Sequence, residues 1–186
     1  MSTTETISSG ANANTTARDV TTRDVKVSCV YIKTTAEAIW TALTDPEWTN
    51  RYGYTGYAHY DLRPGGALRI VPNDEFKAGA EAQGFPCPDV IVDGEVVDVD
   101  APHRLVTTWR LLMDPTTAAE PMTTITYEIE EFDGYCRLTV EHDVTGAPAT
   151  ASMVRGDGES QGAGGGHDWI LSDLKSLLET GSILAG

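Results

Sequence analysis

Histidine is the side chain whose ordinary pKa lets it move a proton near neutral pH, and this sequence has four: His59, His103, His142 and His167. No two stand at a helical or hairpin spacing suited to share a metal ion, so no metal site is expected. His103 follows Pro102 in a turn and is expected to be solvated. His142 alternates with Leu138 and Val140 along a strand-like run, and His167 precedes Ile170 and Leu171 by one helical turn. Both are therefore directed toward an apolar interior and could converge there as a general acid and base. The competing reading is a core histidine satisfied by a neighbour, or one that only orients a ligand. That reading is favoured, because no nucleophile or paired carboxylate accompanies them in a catalytic motif.

Other chemistries find less support. No GxSxG elbow occurs, and the run GAGGG lacks the following GK[ST] of a phosphate-binding loop. Asp157 and Glu159 are too few and too glycine-spaced for a calcium loop. Cys29, Cys87 and Cys136 are odd in number and widely spaced, as expected of reduced thiols. No cofactor is implied. The aromatic set Trp48, Tyr52, Tyr54, Tyr57 and Tyr60 could line a cavity mouth and stack on a planar ligand, although core packing explains part of it equally well.

The elements that would position these residues can be read from hydrophobic period and turn chemistry. VKVSCVYI, residues 25–32, is a first strand with Val25, Val27, Cys29 and Tyr31 on one face. Thr34 to Glu37 has capping-box spacing, and Ala36, Ile39, Trp40 and Leu43 form a helical stripe ending near Asp45. Asp45-Pro46 signals a second short helix carrying Trp48 and Tyr52. Strand-like runs follow: YAHYDL and ALRIV around the turn RPGG, then VIVDGEVVDV paired with RLVTTWRLL, then TTITYEIE paired with CRLTVEHDV. Between them, residues 72–89 form a Pro- and Gly-containing insertion. Residues 146–166 are small, polar and glycine-rich, which suits a mobile loop or hinge. HDWILSDLKSLLET is the strongest helix, with Ile170, Leu171, Leu174, Leu177 and Leu178 on one stripe and Gly181 at its stop.

Sequential hairpins imply an antiparallel sheet, and the terminal helix must bury its stripe against it, at roughly 1.5 to 3 kcal/mol for each large aliphatic side chain. A long twisted sheet curves, and one helix about 10 to 12 Å across does not fill its concave face. The α+β reading is thus a curved sheet of six or seven strands around a long C-terminal helix, with an apolar cavity between them. Trp48, Tyr52, Tyr54, Trp109, Leu111, Ile125, Tyr127, Leu138, Val140, His142, His167, Leu171 and Leu174 are the expected ligand-binding residues. The alternative is that Trp109, Tyr127 and their neighbours close the gap into a solid core.

With 13 basic and 28 acidic residues the net charge is −15, which disfavours nucleic acid and anionic membranes as partners. Residues 1–23 are rich in Thr, Ser and Asn and read as a disordered tail before a single domain, 24–186. They lack the basic start and apolar run of a secretory signal, and a cytoplasmic location is expected.

The segments DLRPGGALRI, DGEVVDVDAPHRLVTTWR, TITYEIEEFDGYCRLTVEHD and GGGHDWILSDLKSLLETG, in that order, resemble the START-like, helix-grip (SRPBCC) superfamily. The branch they resemble is that of bacterial homologues of the activator of the heat-shock chaperone ATPase. The resemblance covers about residues 25–181. It implies a strand, two short helices, a run of antiparallel strands and a long terminal helix around a hydrophobic pocket. The functions it implies are diverse: lipid or polyketide carriage, aromatase or cyclase activity, chaperone co-regulation through a weak protein partner, and self-resistance in enediyne clusters, where the guest cuts the protein at a glycine. In this last case the Gly-rich segment 156–166 would be the target. Two departures stand out: His167-Asp168 replaces Trp-Pro at the entrance of the last helix, and the 72–89 insertion is long and suited to a lid. The leading expectation is binding of a hydrophobic, polycyclic or polyketide-like molecule for sequestration, transport or resistance.

Overall fold

A computed structural model describes residues 22–82, 84, 86–161 and 164–184. Most of the expected N-terminal tail, residues 1–21, lies outside the described residues. The seven strands are β1 (Val25–Ile32), β2 (Tyr57–Tyr60), β3 (Ala67–Val71), β4 (Val92–Asp100), β5 (Arg104–Leu111), β6 (Thr123–Phe132) and β7 (Tyr135–Asp143). They form one antiparallel sheet in the order β1-β7-β6-β5-β4-β3-β2, so the first strand pairs with the last and the rest follow as hairpins.

Among the described residues six helices accompany the sheet: α1 (Ala36–Thr44), α2 (Pro46–Thr49), α3 (Asp74–Ala82), α4 (Pro115–Ala118), α5 (Pro148–Arg155) and α6 (Gly166–Thr180). Local chemistry sets their ends. Thr35 accepts from the Ala38 amide at the start of α1, one residue later than the Thr34 capping box expected from spacing. Asp45 caps α2 and Asp114 caps α4, each followed by Pro at the first helical position. The same Asp-Pro signature thus made α4, which sequence analysis passed over.

α6 lies chiefly along β1, with α5 beside it and α1 reaching β6. Leu171, Leu174 and Leu177 are buried in a core with Ile32, Ile39, Leu43, Ile125, Ile129, Leu138 and Val140. Two further ties hold α6 to the edge strand: Lys175 Nζ donates to the Tyr31 carbonyl at 2.6 Å, and the Lys33 amide donates to Glu179 Oε1 at 2.8 Å.

The structure adds to two expectations and corrects one. Val25, Val27, Cys29 and Tyr31 share one face of β1, as expected, and that face is the outer one, where Val27 is 55% and Tyr31 51% exposed. Alternation turns Ser28, Val30 and Ile32 inward under α6 instead. The 72–89 insertion contains a regular helix, α3, none of whose residues is buried. The 146–166 stretch is not an unstructured hinge, since it contains α5 and a 3-10 turn, Glu159–Gln161. Two of its glycines are close contacts rather than slack: a Cβ at Gly156, where φ is +75°, would lie 2.6 Å from the Gly165 carbonyl carbon, and one at Gly164, φ +86°, would strike the Tyr54 ring and hydroxyl.

Candidate functional site

The ladder registers build the inner face row by row. Lys26 pairs with His142, His142 with Ile125, and Ile125 with Thr107. The next row runs Ser28, Val140, Tyr127 and Leu105. Trp109 pairs with Thr123 at the end of β5. The fully buried His142 therefore stands where β5, β6, β7 and the first turn of α6 meet.

Its two nitrogens are both engaged. Nε2 lies 2.7 Å from Thr123 Oγ1, and Nδ1 lies 2.9 Å from His167 Nε2. Thr123 Oγ1 is also 2.8 Å from the Trp109 carbonyl, which can only accept. The hydroxyl proton therefore goes to that carbonyl, and Thr123 accepts the Nε2 proton of His142. A neutral His142 then presents a bare Nδ1 to the Nε2 proton of His167. His167 is left with a bare Nδ1, which has no hydrogen bond among the described residues. The Trp109 ring meets His142 edge-on, with centroids 5.5 Å apart.

Electrostatics keep both imidazoles neutral. Burial, reinforced by the neighbouring His167, pushes His142 down to about 3. Burial and the Lys26 ammonium push His167 down to about 4, against the pull of Asp168. Lys26 Nζ is bonded to Asp168 Oδ2 at 2.6 Å, sealing this end with an ion pair. Burial would raise the Asp168 carboxyl, but the hydrogen bond and charge of Lys26 hold it below its ordinary range.

Tyrosines occupy the other part of the inner face. Tyr52 is buried and donates to the Ala42 carbonyl at 3.1 Å. Burial pushes Tyr127 up to about 12 and Tyr60 well above its ordinary value, with the Tyr127 and Tyr52 phenols adding to the rise at Tyr60. β2 and β6, which carry Tyr60 and Tyr127, are four strand spacings apart, roughly 19 Å along the sheet. Neither hydroxyl has a hydrogen-bond partner among the described residues. Both side chains nonetheless remain partly accessible.

The other expected binding residues are spread over this interior and its margins. Ile125, Leu138, Val140, Leu171 and Leu174 lie in the buried core, with Trp48, Trp109 and Tyr127 half-buried against it. Leu111, half-buried, pairs with Val92 on β4. Trp48 carries the Arg51 guanidinium 4.3 Å above its ring. Tyr54 is placed elsewhere: it is 39% exposed, lies against Trp169 with centroids 5.3 Å apart, and accepts the Gly166 amide at its hydroxyl. His59 is exposed, and His103 pairs at the surface with Glu131.

Sequence reasoning missed Thr123, whose role depends on strand register, and Asp173. The latter is buried in α6 and accepts the Gly53 and Leu184 amides at 2.8 and 2.7 Å. A lone carboxylate beside a leucine stripe carries no signal of that kind.

The family described as Activator of Hsp90 ATPase homolog 1-like protein matches residues 33–179. The chain belongs to that family. Solved structures with the same fold as this Activator of Hsp90 ATPase homolog 1-like chain include the BPP1335 protein of Bordetella parapertussis, 18% identical over 83% of this chain and 74% of that one, with a TM-score of 0.58. DynU16, described as a putative protein in the dynemicin biosynthetic locus, is 22% identical over 86% of this chain and 49% of its own, with a TM-score of 0.56. The Aha1 dimer of Colwellia psychrerythraea is 15% identical over 85% and 98%, with a TM-score of 0.55. At these identities the likeness is one of fold. No curated protein matches the chain. No helix among the described residues is long and apolar enough to cross a membrane.

Proposed function

We propose that this family member binds an uncharged, hydrophobic small molecule between the curved sheet and α6, and acts by sequestering, carrying or neutralising it in the cytoplasm. The observation that carries the reading is the state of Tyr60 and Tyr127. Both are deep enough to be strongly dehydrated, yet each retains accessible surface and a hydroxyl without a protein partner. Two inward tyrosines that stay partly accessible, on the same concave sheet as the half-buried Trp109, suit a space made for a guest. DynU16, the fold neighbour from an antibiotic locus, favours a polycyclic or polyketide-like guest and a resistance role. Residues 24–186 would be the binding domain, with α3 in the insertion as its cover. Titrating polycyclic and polyketide-like compounds while following amide NMR shifts tests this: shifts should cluster on β2, β5, β6 and α6. Silence across the whole panel would remove the proposal.

A second reading, a cyclase or aromatase using His167 as base, is favoured by its bare Nδ1. A pKa of about 4 gives it little drive to take a proton at neutral pH, where an efficient base is poised near 7. Substituting His167 by Ala separates the two readings, since turnover of a candidate polyketide would vanish for the enzyme. The family name favours a third, chaperone co-regulation by weak protein contact. Gel filtration with a purified chaperone would detect a complex, and its absence at high concentration would count against that reading.

A further inference from the structure

We infer that a recess on the outer face of the sheet, between β3, β4 and β5, binds an amino-acid-like zwitterion, with its carboxylate on Arg69 and its ammonium on Glu95. The site lies across the sheet from the concave interior and does not depend on the binding reading given above.

The sheet itself makes the recess. Register places Arg69 beside Asp93 and Ala67 beside Glu95, and alternation turns these side chains away from the interior that the buried Leu68 faces. The β4–β5 ladder skips from Asp93–Arg110 to Val96–Thr107, and between them the Glu95 amide donates to the Thr108 hydroxyl at 2.8 Å. Gly94 allows this approach, since a Cβ there would lie 2.0 Å from the Thr108 carbonyl oxygen. The resulting recess measures about 420 Å³, and its lining includes Ala67, Arg69, Asp93, Glu95, Thr108 and Met122. That size falls within the roughly 300–1,000 Å³ of small-molecule sites.

Its charges divide into a paired set and a free one. Asp93 is held bidentately by Arg110, Nε to Oδ1 at 3.1 Å and Nη2 to Oδ2 at 2.8 Å. The Arg69 guanidinium and the Glu95 carboxylate are both exposed, and neither has an ion pair or hydrogen bond among the described residues. They stand diagonally on neighbouring strands, roughly 7–8 Å apart at the backbone.

A free cation and a free anion on one recess match a ligand that carries both charges. On a chain of net charge −15 a simple anion is repelled, with Asp93 and Glu95 beside it, and a simple cation is drawn in only to face Arg69. A zwitterion is neutral as a whole, and a planar guanidinium takes a carboxylate with two parallel hydrogen bonds. An apolar tail would rest on Met122, a thioether that is 44% exposed and adapts readily to shape.

The test uses norleucine, hexanoate and hexylamine, which share one carbon skeleton, near neutral pH, followed through the amide NMR shifts of the full chain. Norleucine should shift Arg69, Asp93, Glu95 and Thr108 saturably and bind at least about tenfold more tightly than either other probe. Arg69→Gln and Glu95→Gln should each weaken norleucine about tenfold. Glu95→Gln should also tighten hexanoate relative to norleucine, which a merely structural role of the carboxylate would not do. Both side chains are exposed and unbonded, so the variants should keep the parent's thermal midpoint. Silence of these amides toward norleucine would overturn the site, leaving Arg69 and Glu95 as charges that only offset each other across the strands. Equal binding of all three probes, or norleucine binding indifferent to both substitutions, would overturn it as well.

Discussion

His142 Nδ1 and His167 Nε2 lie 2.9 Å apart, a single hydrogen bond that ties the end of β7 to the first turn of α6. Because Thr123 fixes the tautomer of His142 from the other side, the pair forms one directional chain that ends at the Trp109 carbonyl.

Replacing His142 by Ala leaves the His167 Nε2 donor without its acceptor, removes the donor to Thr123 Oγ1 and empties a buried site. A loss of about 2–4 kcal/mol is expected in urea unfolding. Since the two imidazoles share a bond, the His142→Ala and His167→Ala effects should fall short of additivity by about 0.5 kcal/mol or more. Strict additivity would contradict the bond.

The same pair makes the fold acid-sensitive. In the unfolded chain each imidazole takes up a proton near 6.5, whereas the native values are about 3 and about 4. Below pH 6.5 the unfolded state binds more protons, so stability present above that pH is lost as pH falls toward 4. The slope should reach about 1.4 kcal/mol per unit for each histidine. Urea midpoints of the parent and the His142→Ala variant, compared from pH 7.5 to 4.5, should converge with acidification; parallel curves would refute the assignment.

Glycine substitutions separate close approach from backbone conformation alone. Gly156→Ala places a methyl against the Gly165 backbone and should cost about 2 kcal/mol or more. Gly134→Ala, also at positive φ but with open space around it, should cost only about 1 kcal/mol. Thermal unfolding of the two variants would reveal the difference.

Glu120 accepts the Ala149 and Thr150 amides and the Thr150 hydroxyl, capping α5 from the β5–β6 connection. Glu120→Ala should lower stability by about 1–2 kcal/mol and speed hydrogen exchange at those two amides first. Unchanged exchange there would show that the cap contributes nothing.

Much of this architecture was legible in the chain because period and turn chemistry agree over long runs. The strand pairs and α6 are such runs, and the convergence of His142 and His167 could be read from strand parity and one helical turn. β1 was harder, because apolar side chains stand on both its faces and only the placement of α6 decides which is covered. The role of Thr123 depends on strand register, which brings together residues far apart in sequence. Gly156 and Gly164 misled for a different reason: composition does not distinguish a residue needed for freedom from one needed for lack of bulk.

The pairing of β1 with β7 also orders events during synthesis. A ribosome releases the N-terminal strand long before its hydrogen-bonding neighbour exists, whereas the hairpins from β2 to β6 can zip up as they emerge. The nascent chain must therefore keep one border of its sheet open until β7 has been made, and α6, which follows β7 in the chain and packs along β1, latches that border.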